Sequence, residues 1–371
     1  MDNHFDVVGM DAEKLSIKKA AEIIIAIGFT GYFAVFSIFG WEIDFVTLVL
    51  GGVGAFLLAI VTSEEAIVGI DAFGKRTGVS KYVSGVVSSL ASNLPEIIVA
   101  VIAALNGFTE FAVLVAVIAA GFNTMLFGIV VVIQSTRGKV TLPEELIIIE
   151  TPVMRSAVAM LVLVISFGVL TDLFTPEFVP AIPHEASALL VITYLAYLLF
   201  IFSYKGKNGT NNKKLPVPLK KILIPSILGF GGIFIAAEML SRVIEVSVHI
   251  FGISEAVMAL LIGMAGSIPE HIIAVTSTLK NKEGSSHLSL GNLMAGIMQS
   301  YLLLIGIIGA IVSIILSEFI LFEIIAGAVL IWLIKSSITD DHTLSIYEGV
   351  MILLTQSFAF IILIDTILMS V

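Results

Sequence analysis

Two glutamates that each follow a proline are the residues of this sequence best suited to chemistry. Glu96 lies in LASNLPEIIVAV and Glu270 in MAGSIPEHIIAV, each near the middle of a long apolar run. Because proline has no backbone N–H, the carbonyl four residues before it in a helix loses its usual partner. Each motif therefore offers a free carbonyl close to a carboxylate, and the freed carbonyls are those of Ala91 and Ala265.

The residues that precede the two glutamates are small or polar, and several of them carry side-chain oxygens. Carbonyl, hydroxyl, amide and carboxylate oxygens are the ligands that Ca²⁺ takes in proteins, about 6–8 of them per ion. We therefore predict a cation site at the two motifs. Its candidate ligands, besides Glu96, Glu270 and the two freed carbonyls, are Ser92, Asn93, Gly266 and Ser267.

The charge of the two glutamates needs a balance that the motif helices do not provide. A carboxylate at membrane depth costs several kcal/mol unless a cation or a proton neutralises it. No Lys or Arg lies in the interior of either run. Two carboxylates are neutral with one divalent ion or with two protons, which favours exchange between Ca²⁺ and H⁺. A protonated, hydrogen-bonded core glutamate is the alternative interpretation at each position.

Isolated polar residues in the neighbouring apolar runs extend this set. Asn123, Gln299 and Ser300 offer further oxygens, and the small residues around them permit close helix packing. His271 directly follows Glu270 and is a candidate proton relay, with a hydrogen-bonded core imidazole as the alternative. Candidate gate residues, or else interfacial acids, are Glu64 and Glu238, and those predicted to be interface or helix-end charges are Glu255, Glu318, Glu323 and Asp365.

The composition indicates that these motifs belong to a membrane protein. Of 371 residues, 58% are hydrophobic and 13% are charged, against about 25% charged in ordinary soluble domains, and the mean hydropathy is +1.09. The net charge of −10 argues against nucleic acid as a partner. Cysteine is absent, and no Walker A loop, zinc-ligand spacing or nucleophile elbow occurs. We therefore expect an ion transporter driven by an ion gradient, with no cofactor and no enzymatic activity.

Eleven apolar segments are long enough to cross a bilayer, which takes ~20 residues in a helix. Backbone polar groups in lipid must be paired within their own segment, so the segments are predicted to be helices and the fold to be an all-α integral membrane fold. The predicted spans are 21–39, 44–63, 80–106, 111–134, 151–170, 185–204, 222–241, 254–280, 287–311, 313–334 and 343–366.

The distribution of basic residues orients the spans. Of the 19 Lys and Arg, all but Arg242 fall on one side of the membrane when the spans alternate in direction. Cytoplasmic loops carry the excess of basic residues, so we predict a multi-pass cell-membrane protein with a cytoplasmic N-terminus and an external C-terminus. The polar stretch 205–221 is then a basic, flexible cytoplasmic linker.

An internal repeat relates the two halves of the chain. Pro95 and Pro269 are separated by the same number of residues as Glu96 and Glu270. Each half holds five spans, which is an odd number, so the two halves must be inverted in the membrane, as in many secondary transporters with a midplane site. The predicted units are an N-terminal tail with an extra helix at 1–43, a first repeat at 44–204, the linker 205–221 and a second repeat at 222–371.

At these motifs the sequence resembles the calcium/cation antiporter superfamily. SNLPE at 92–96 is similar to the first α-repeat of that superfamily, and GSIPEHIIAVTSTLKNK at 266–282 is similar to the second repeat of its calcium/proton exchanger branch. The resemblance implies that Glu96 and Glu270 are the central cation ligands. It also implies that the same site is lined by Asn93, Ser267, Asn123 and Gln299.

The sequence departs from the patterns of this superfamily at two places. The first motif combines Asn93 with Pro95, a mixture of sodium-type and proton-type patterns. Ser300 stands where many prokaryotic sodium/calcium exchangers carry an Asp. The missing negative charge is one that a site for several Na⁺ ions would use, so the resemblance favours proton coupling.

The sequence therefore predicts a secondary antiporter that exports cytosolic Ca²⁺ against inward H⁺ by alternating access. An Na⁺/Ca²⁺ exchanger on the same scaffold is the alternative. A cation channel and an intramembrane enzyme are the competing classes of protein, and the latter lacks a Ser–His or Asp–Asp pair. The expected partners are Ca²⁺, H⁺ or Na⁺ and the lipid bilayer, and the oligomeric state is left open.

Overall fold

Eleven helices make up the part of the chain that the structure describes. The structure, a computed structural model, describes residues 12–77, 81–136, 138, 140–141, 144–174, 180–203, 216–264 and 285–370. Helix α9 consists of an α-helical stretch Ser285–Met298, a π-helical turn Gln299–Leu304 and an α-helical end Ile305–Ile311. The other helices are α1 Ala12–Phe39, α2 Phe45–Thr77, α3 Lys81–Leu105, α4 Thr109–Ser135, α5 Glu144–Phe174, α6 His184–Ser203, α7 Lys220–His249, α8 Glu255–Met264, α10 Glu318–Asp341 and α11 Ile346–Ser370.

The all-α membrane architecture expected from the sequence is confirmed. Among the residues described, nine helices are long and apolar enough to cross a membrane. The other two, α3 and α8, contribute the shorter apolar stretches Asn93–Leu105 and Glu255–Met264. Helix α3 carries the first proline–glutamate motif and runs through Pro95 without interruption. Helix α8 is described only as far as Met264, so the second motif lies outside the described residues.

Helix α2 is longer than the predicted span 44–63, because it continues to Thr77. The prediction ended the span at the acidic residues that follow it, whereas backbone hydrogen bonding continues regardless of side-chain polarity. The last turn of α2 carries Lys75 and Arg76. Basic side chains at this position interact favourably with the negative end of the helix dipole, which supports a helix end beyond the apolar run.

Side chains and turns set several helix ends. The Thr47 N–H donates to Asp44 Oδ1 at 2.7 Å where α2 begins, and the hydrogen bonds from Thr47 hold the pKa of Asp44 below its usual value. Ser317 caps α10 by accepting from the Ile320 N–H. Between α3 and α4, Gly107 has a φ of 93°, a left-handed conformation that a side chain would strain.

Helices α4 and α9 lie at the centre of the bundle. Every residue of Phe111–Gly121 in α4 and of Leu293–Leu302 in α9 is buried. Peripheral helices instead expose large apolar side chains, which suits contact with lipid acyl chains. Examples are Ile38 of α1, Leu199 of α6, Ile227 and Phe234 of α7 and Ile361 of α11. The buried polar residues Asn123 and Thr124 of α4 and Gln299 and Ser300 of α9 are therefore remote from any lipid contact.

The contacts between helices follow an internal symmetry. Helix α2 packs against α7 and α5 against α10, while α4 packs against α11 and α9 against α6. Matching α2–α6 in order with α7–α11 makes α2 the counterpart of α7, α4 of α9, α5 of α10 and α6 of α11. The pairs α2–α7 and α5–α10 then map onto themselves, and the pair α4–α11 maps onto α9–α6. This is the contact pattern that two equivalent halves would produce.

Four short strands, absent from the sequence prediction, follow the same symmetry. Strand β1 (Val140–Thr141) pairs antiparallel with β4 (Thr343–Leu344), and β2 (Ala181–Ile182) pairs antiparallel with β3 (Ile314–Ile315). Each pair joins two connections with an even number of described helices between them, and the pairing requires those connections to lie on the same side. The four strands thus agree with helices that alternate in direction.

Small residues bring α2 and α7 into close contact. A Cβ added at Gly229 of α7 would overlap the backbone of Ala66 on α2, and one at Gly232 would overlap Thr62. The relation is mutual, since a Cβ at Gly69 of α2 would overlap Ser226 of α7. Stripes of small residues let helix backbones approach closely in membranes, where packing drives association. We infer that α2 and α7 tie the two halves of the bundle together.

Candidate functional site

A hydrogen bond between two buried amides joins α3 to α9. The Asn93 Nδ2 donates to Gln299 Oε1 at 2.7 Å. The Gln299 Nε2 in turn faces the carbonyl of Val86, on the same helix as Asn93, at 3.5 Å. Both amides are buried. Two side chains that the sequence separates by more than half of the chain therefore form one polar cluster.

A third buried amide, that of Asn123, reaches the same cluster from α4. A Cβ at Gly296 of α9 would lie 3.4 Å from Asn123 Nδ2 and 3.6 Å from Asn93 Nδ2. Both amide nitrogens thus lie against the same point on α9, at Gly296. Asn123 Oδ1 is buried and accepts no hydrogen bond from the residues that the structure describes. It is an oxygen for which a bound cation would be a natural partner.

Glu96 brings the negative charge to this region. It lies three residues after Asn93 on α3, so the two side chains share one face of the helix. Glu96 is 7% exposed. On α9, Ser300 is buried beside Gln299, and its hydroxyl donates to the carbonyl of Gly296 at 3.1 Å. A carboxylate, amide oxygens and a hydroxyl on three helices form the kind of hard oxygen set that suits Ca²⁺.

The helix that carries Gln299 and Ser300 has unusual local geometry at these residues. The π-helical turn Gln299–Leu304 interrupts the α-helical hydrogen-bond pattern of α9. Such turns appear mostly as single insertions in α-helices, frequently at functional sites. Here the turn holds Gln299 against Asn93 while Tyr301, two residues later, contacts Glu323 of α10. The π turn therefore connects the central amides to a second polar cluster.

The structure describes most of the predicted site residues and brings some of them together. Asn93, Gln299 and Asn123 are brought together, and Glu96 and Ser300 are buried on the same helices. Ala91 and Ser92 lie on α3 in the turn before Asn93. Glu64 is exposed on α2, and Glu238 forms an ion pair of 3.6 Å with Arg242 on α7. The predicted residues that lie outside the described part of the chain are Ala265, Gly266, Ser267, Glu270 and His271.

The prediction for Glu323 as an interface or helix-end charge is wrong. Its side chain is 1% exposed, because Tyr301 of α9, Gln356 of α11 and Gly121 of α4 lie against it. Glu150 of α5, which was not predicted as a site residue, is fully buried and accepts from the Tyr197 hydroxyl at 2.9 Å. A signal was present, since each of the two glutamates follows four apolar residues that come directly after an acid at the helix start (Glu145 and Glu318), and the two helices correspond in the repeat. Glu255, by contrast, accepts from the Phe111 N–H at 2.8 Å and supports the start of α4, as a helix-end charge would.

Comparison with known proteins identifies the family of this chain. The sequence model described as "Sodium/calcium exchanger protein" matches residues 47–203 and 221–365, which is more than half of the chain. Among curated proteins, none matches the sequence.

Two exchangers of known structure share the fold. The crystal structure of the H⁺/Ca²⁺ exchanger CAX is similar with a TM-score of 0.68 and 15% identity, covering 95% of this chain and 93% of that chain. The sodium-calcium exchanger NCX_Mj, soaked with 2.5 mM Na⁺ and 0.1 mM Sr²⁺, has a TM-score of 0.57 and 15% identity, covering 84% of this chain and 98% of that chain. Because the family model matches both halves of the sequence, on either side of the polar linker, this chain belongs to the sodium/calcium exchanger family of the calcium/cation antiporter superfamily.

Proposed function

We propose that this protein is a secondary antiporter that exchanges cytosolic Ca²⁺ for H⁺ around a midplane site containing Glu96 and Glu270. The observation that carries the proposal is the buried oxygen cluster on α3, α4 and α9, with Glu96 at its edge. Beyond Lys81 at the start of α3, these three helices contain no Lys or Arg. Their own sequence thus provides no fixed cation to the oxygen cluster, which favours a mobile cation or protons there.

The choice of H⁺ as the counter-ion has two supports. Ser300 is neutral and hydrogen-bonded to its own helix, so the site lacks one of the carboxylates that several Na⁺ ions would need. The likeness to the H⁺/Ca²⁺ exchanger CAX also extends over more of the chain than the likeness to NCX_Mj. One Ca²⁺ and two protons neutralise the same pair of glutamates, so the binding of either excludes the other.

Alternating access would follow from two inverted repeats that rock about this site. We place the repeats at 44–204 and 222–371, after the N-terminal unit 1–43, with 205–221 as the linker between them. The symmetric helix contacts and the two exchanged strand pairs support this division. In this topology the N-terminus and the basic linker are cytoplasmic, the C-terminus is external and the protein lies in the cell membrane.

An Na⁺/Ca²⁺ exchanger is the second candidate function. The observation that favours it is the match to the sodium/calcium exchanger family itself, together with the fold shared with NCX_Mj. The same oxygen cluster would then take Na⁺ in place of protons. Both candidates use Glu96 and Glu270 and differ only in the counter-ion.

The experiment that separates the two candidates is Ca²⁺ uptake into proteoliposomes under imposed gradients. We expect an inside-acidic pH gradient to drive Ca²⁺ uptake in the absence of Na⁺, and an outward Na⁺ gradient at equal pH to drive none. Uptake under the Na⁺ gradient alone would assign the protein to Na⁺/Ca²⁺ exchange. Flux that neither saturates nor depends on a counter-ion would indicate a channel.

Replacing Gln299 by leucine tests the amide cluster. The substitution removes the acceptor of the Asn93 amide and one oxygen of the site while keeping similar volume. Loss of a group that orients metal ligands typically lowers metal affinity by about 10–100-fold, and we expect a rise of that size in the Ca²⁺ concentration for half-maximal uptake. The matched control is Gln134→Leu near the end of α4. Equal Ca²⁺ affinities in the parent and in Gln299→Leu would contradict the assignment of Gln299 to the site.

A further inference from the structure

A second buried carboxyl, Glu323, lies outside the proposed cation site. Its Oε1 accepts from Gln356 Nε2 of α11 at 2.8 Å and from the Tyr301 hydroxyl of α9 at 3.2 Å. Its Oε2 is buried and has no hydrogen-bond partner among the described residues. The same holds for Gln356 Oε1. Two acceptor oxygens thus remain unsatisfied within one cluster, which is costly in an apolar interior.

The cluster is built by close backbone approach. A Cβ at Gly121 of α4 would lie 2.5 Å from Gln356 Nε2 and 3.0 Å from Glu323 Oε1, so only glycine leaves room for this pair. On α10 itself, a Cβ at Gly327 would overlap the Tyr301 ring. The two glycines lie on different helices and accommodate different members of the cluster. Glu323, Gln356 and Tyr301 are therefore held in place from two sides.

No charged group among the described side chains balances Glu323. The neighbours that face it are Tyr301 from α9, Gln356 from α11 and Gly121 from α4, with Thr124 of α4 beside the Tyr301 hydroxyl. None of these is a cation. The charged or titratable side chains described elsewhere on the helices packed around it are Glu110 on α4, Glu150 and Arg155 on α5, Glu318, Lys335 and Asp340 on α10, and Tyr347, Glu348 and Asp365 on α11.

We propose that Glu323 is a proton-binding site of this protein, separate from the central cation site, and that α9 responds to its protonation through Tyr301. A proton on the carboxyl removes the unbalanced charge, and when it is on Oε1, which faces Gln356, it makes that oxygen a donor. The amide of Gln356 can match either state, since a half-turn of its terminal group exchanges Nε2 for Oε1. Donation from Gln356 suits the ionised carboxylate, and acceptance by Gln356 suits the acid.

Tyr301 gives Glu323 a route to the central site. Its hydroxyl touches Glu323, and its backbone belongs to the π-helical turn that carries Gln299 and Ser300. Gln299 in turn accepts from Asn93. A change in the bond between Tyr301 and Glu323 therefore acts on the segment that positions the central amides. This consequence for transport rests on the proposed function, whereas proton binding by Glu323 does not.

The first half of the chain contains a related arrangement. Glu150 lies in the early turns of α5, as Glu323 does in α10, and it accepts from Tyr197 of α6 at 2.9 Å. The ring of Tyr197 packs edge-on against that of Tyr194, with 5.7 Å between the ring centroids. In the repeat α6 corresponds to α11, so the counterpart of the bond from Tyr197 to Glu150 is the bond from Gln356 to Glu323. A buried carboxyl that accepts from a side chain of the next helix thus occurs in each half, which is expected if the feature belongs to the repeat.

Infrared difference spectroscopy of the purified protein as a function of pH tests the proton site directly. We expect the parent to show a carboxylic-acid C=O band that shifts in D₂O and disappears at alkaline pH. Glu96, Glu150 and Glu270 can contribute carboxylic-acid bands too, so the contribution of Glu323 is the difference between the parent and Glu323→Gln, which keeps the shape of the side chain. We expect this substitution to remove one component of the band, and Glu318→Gln, at an exposed position on the same helix, to leave the band unchanged. A band in Glu323→Gln equal in area to that of the parent overturns the proposal, as does loss of the Glu323 component on adding Na⁺ at constant pH.

Transport at equal pH on both sides of the membrane tests the route through Tyr301. Between about pH 6 and about pH 8, where buried carboxyls can titrate, we expect the half-saturating Ca²⁺ concentration of the parent to change by about tenfold, the equivalent of one pKa unit. In Tyr301→Phe the infrared band should remain and the change should fall below that of the parent, leaving the part that comes from competition between protons and Ca²⁺ at the central site. An unaltered pH dependence in Tyr301→Phe overturns the route.

The outcomes also separate this proposal from the proposed function. If the parent takes up Ca²⁺ only under a Na⁺ gradient, the H⁺/Ca²⁺ assignment fails, while the infrared band still decides whether Glu323 binds a proton. If Glu323→Gln does not fold, as judged by its elution and thermal melting, Tyr301→Phe and Gln356→Leu carry the test. Gln356→Leu removes the amide that matches both states, so we expect its band to titrate over a shifted pH range. An unshifted band overturns the assigned role of Gln356.

Discussion

Glutamine in place of Glu96 is expected to abolish gradient-driven Ca²⁺ uptake. The substitution keeps the size of the side chain and its capacity for hydrogen bonds, but it removes the negative charge that the described part of the site contributes. Loss of a group that merely orients a ligand costs about 10–100-fold in metal affinity. We therefore expect the loss of a direct carboxylate ligand to lower uptake at a fixed Ca²⁺ concentration by about 100-fold or more, measured with radioactive Ca²⁺ in proteoliposomes.

The controls for this experiment distinguish loss of the site from loss of the protein. Glu185→Gln, at an exposed position in the first turn of α6, should transport like the parent. Glu270→Gln should match Glu96→Gln, because the proposed site uses the two glutamates in equivalent ways. Glu96→Gln should also elute and melt like the parent, since its side chain is of equal volume. Substantial exchange in Glu96→Gln under either gradient would mean that the cation site lies elsewhere.

Alanine in place of Gly229 is expected to destabilise the bundle, although it adds only one methyl group. The new Cβ would overlap the backbone of Ala66, which cannot move without shifting α2 as a whole. Forcing extra atoms into a packed interface typically costs about 1–3 kcal/mol. The expected result is a lower midpoint of thermal unfolding in detergent, together with less folded protein recovered on purification.

Gly231 provides a matched control on the same helix. It lies two residues from Gly229, and a Cβ added there would have no atom within 4 Å. The midpoint of thermal unfolding of Gly231→Ala should therefore equal that of the parent or lie slightly above it, because alanine stabilises a helix by about 1 kcal/mol relative to glycine in water. Equal midpoints of thermal unfolding for Gly229→Ala and the parent would contradict the close packing of α2 on α7.

The two largest predicted effects have different physical origins. Glu96 acts through charge, so its replacement should remove transport while leaving the fold intact. Gly229 acts through the distance between two helix backbones, so its replacement should affect folding and, through it, every activity. A comparison of transport per folded molecule separates the two. In Gly229→Ala, transport per folded molecule should stay closer to that of the parent than in Glu96→Gln.

Much of the architecture follows from local properties of the sequence. The eleven apolar runs predict the eleven helices because the length of an apolar run and the lack of charge within it decide which segments can cross a membrane. Pro95 and Glu96 stand in an apolar run whose interior has no basic residue. A carboxylate there needs a cation or a proton to balance its charge, so this run predicts a cation site on α3. These inferences need only the residues within one helix and the properties of the surrounding lipid.

The tertiary structure decided what depends on partners distant in the chain. Asn93 could pair with any of several buried amides, and only the packing of α3 on α9 selects Gln299. Glu323 resembles an interfacial acid in sequence, and only the cover of α4, α9 and α11 buries it beside Tyr301. The π-helical turn and the four short strands likewise depend on neighbouring segments. The sequence by itself determined which helices exist and where charge is scarce, because both are properties of single segments, whereas polar partners and burial arise only when the segments pack.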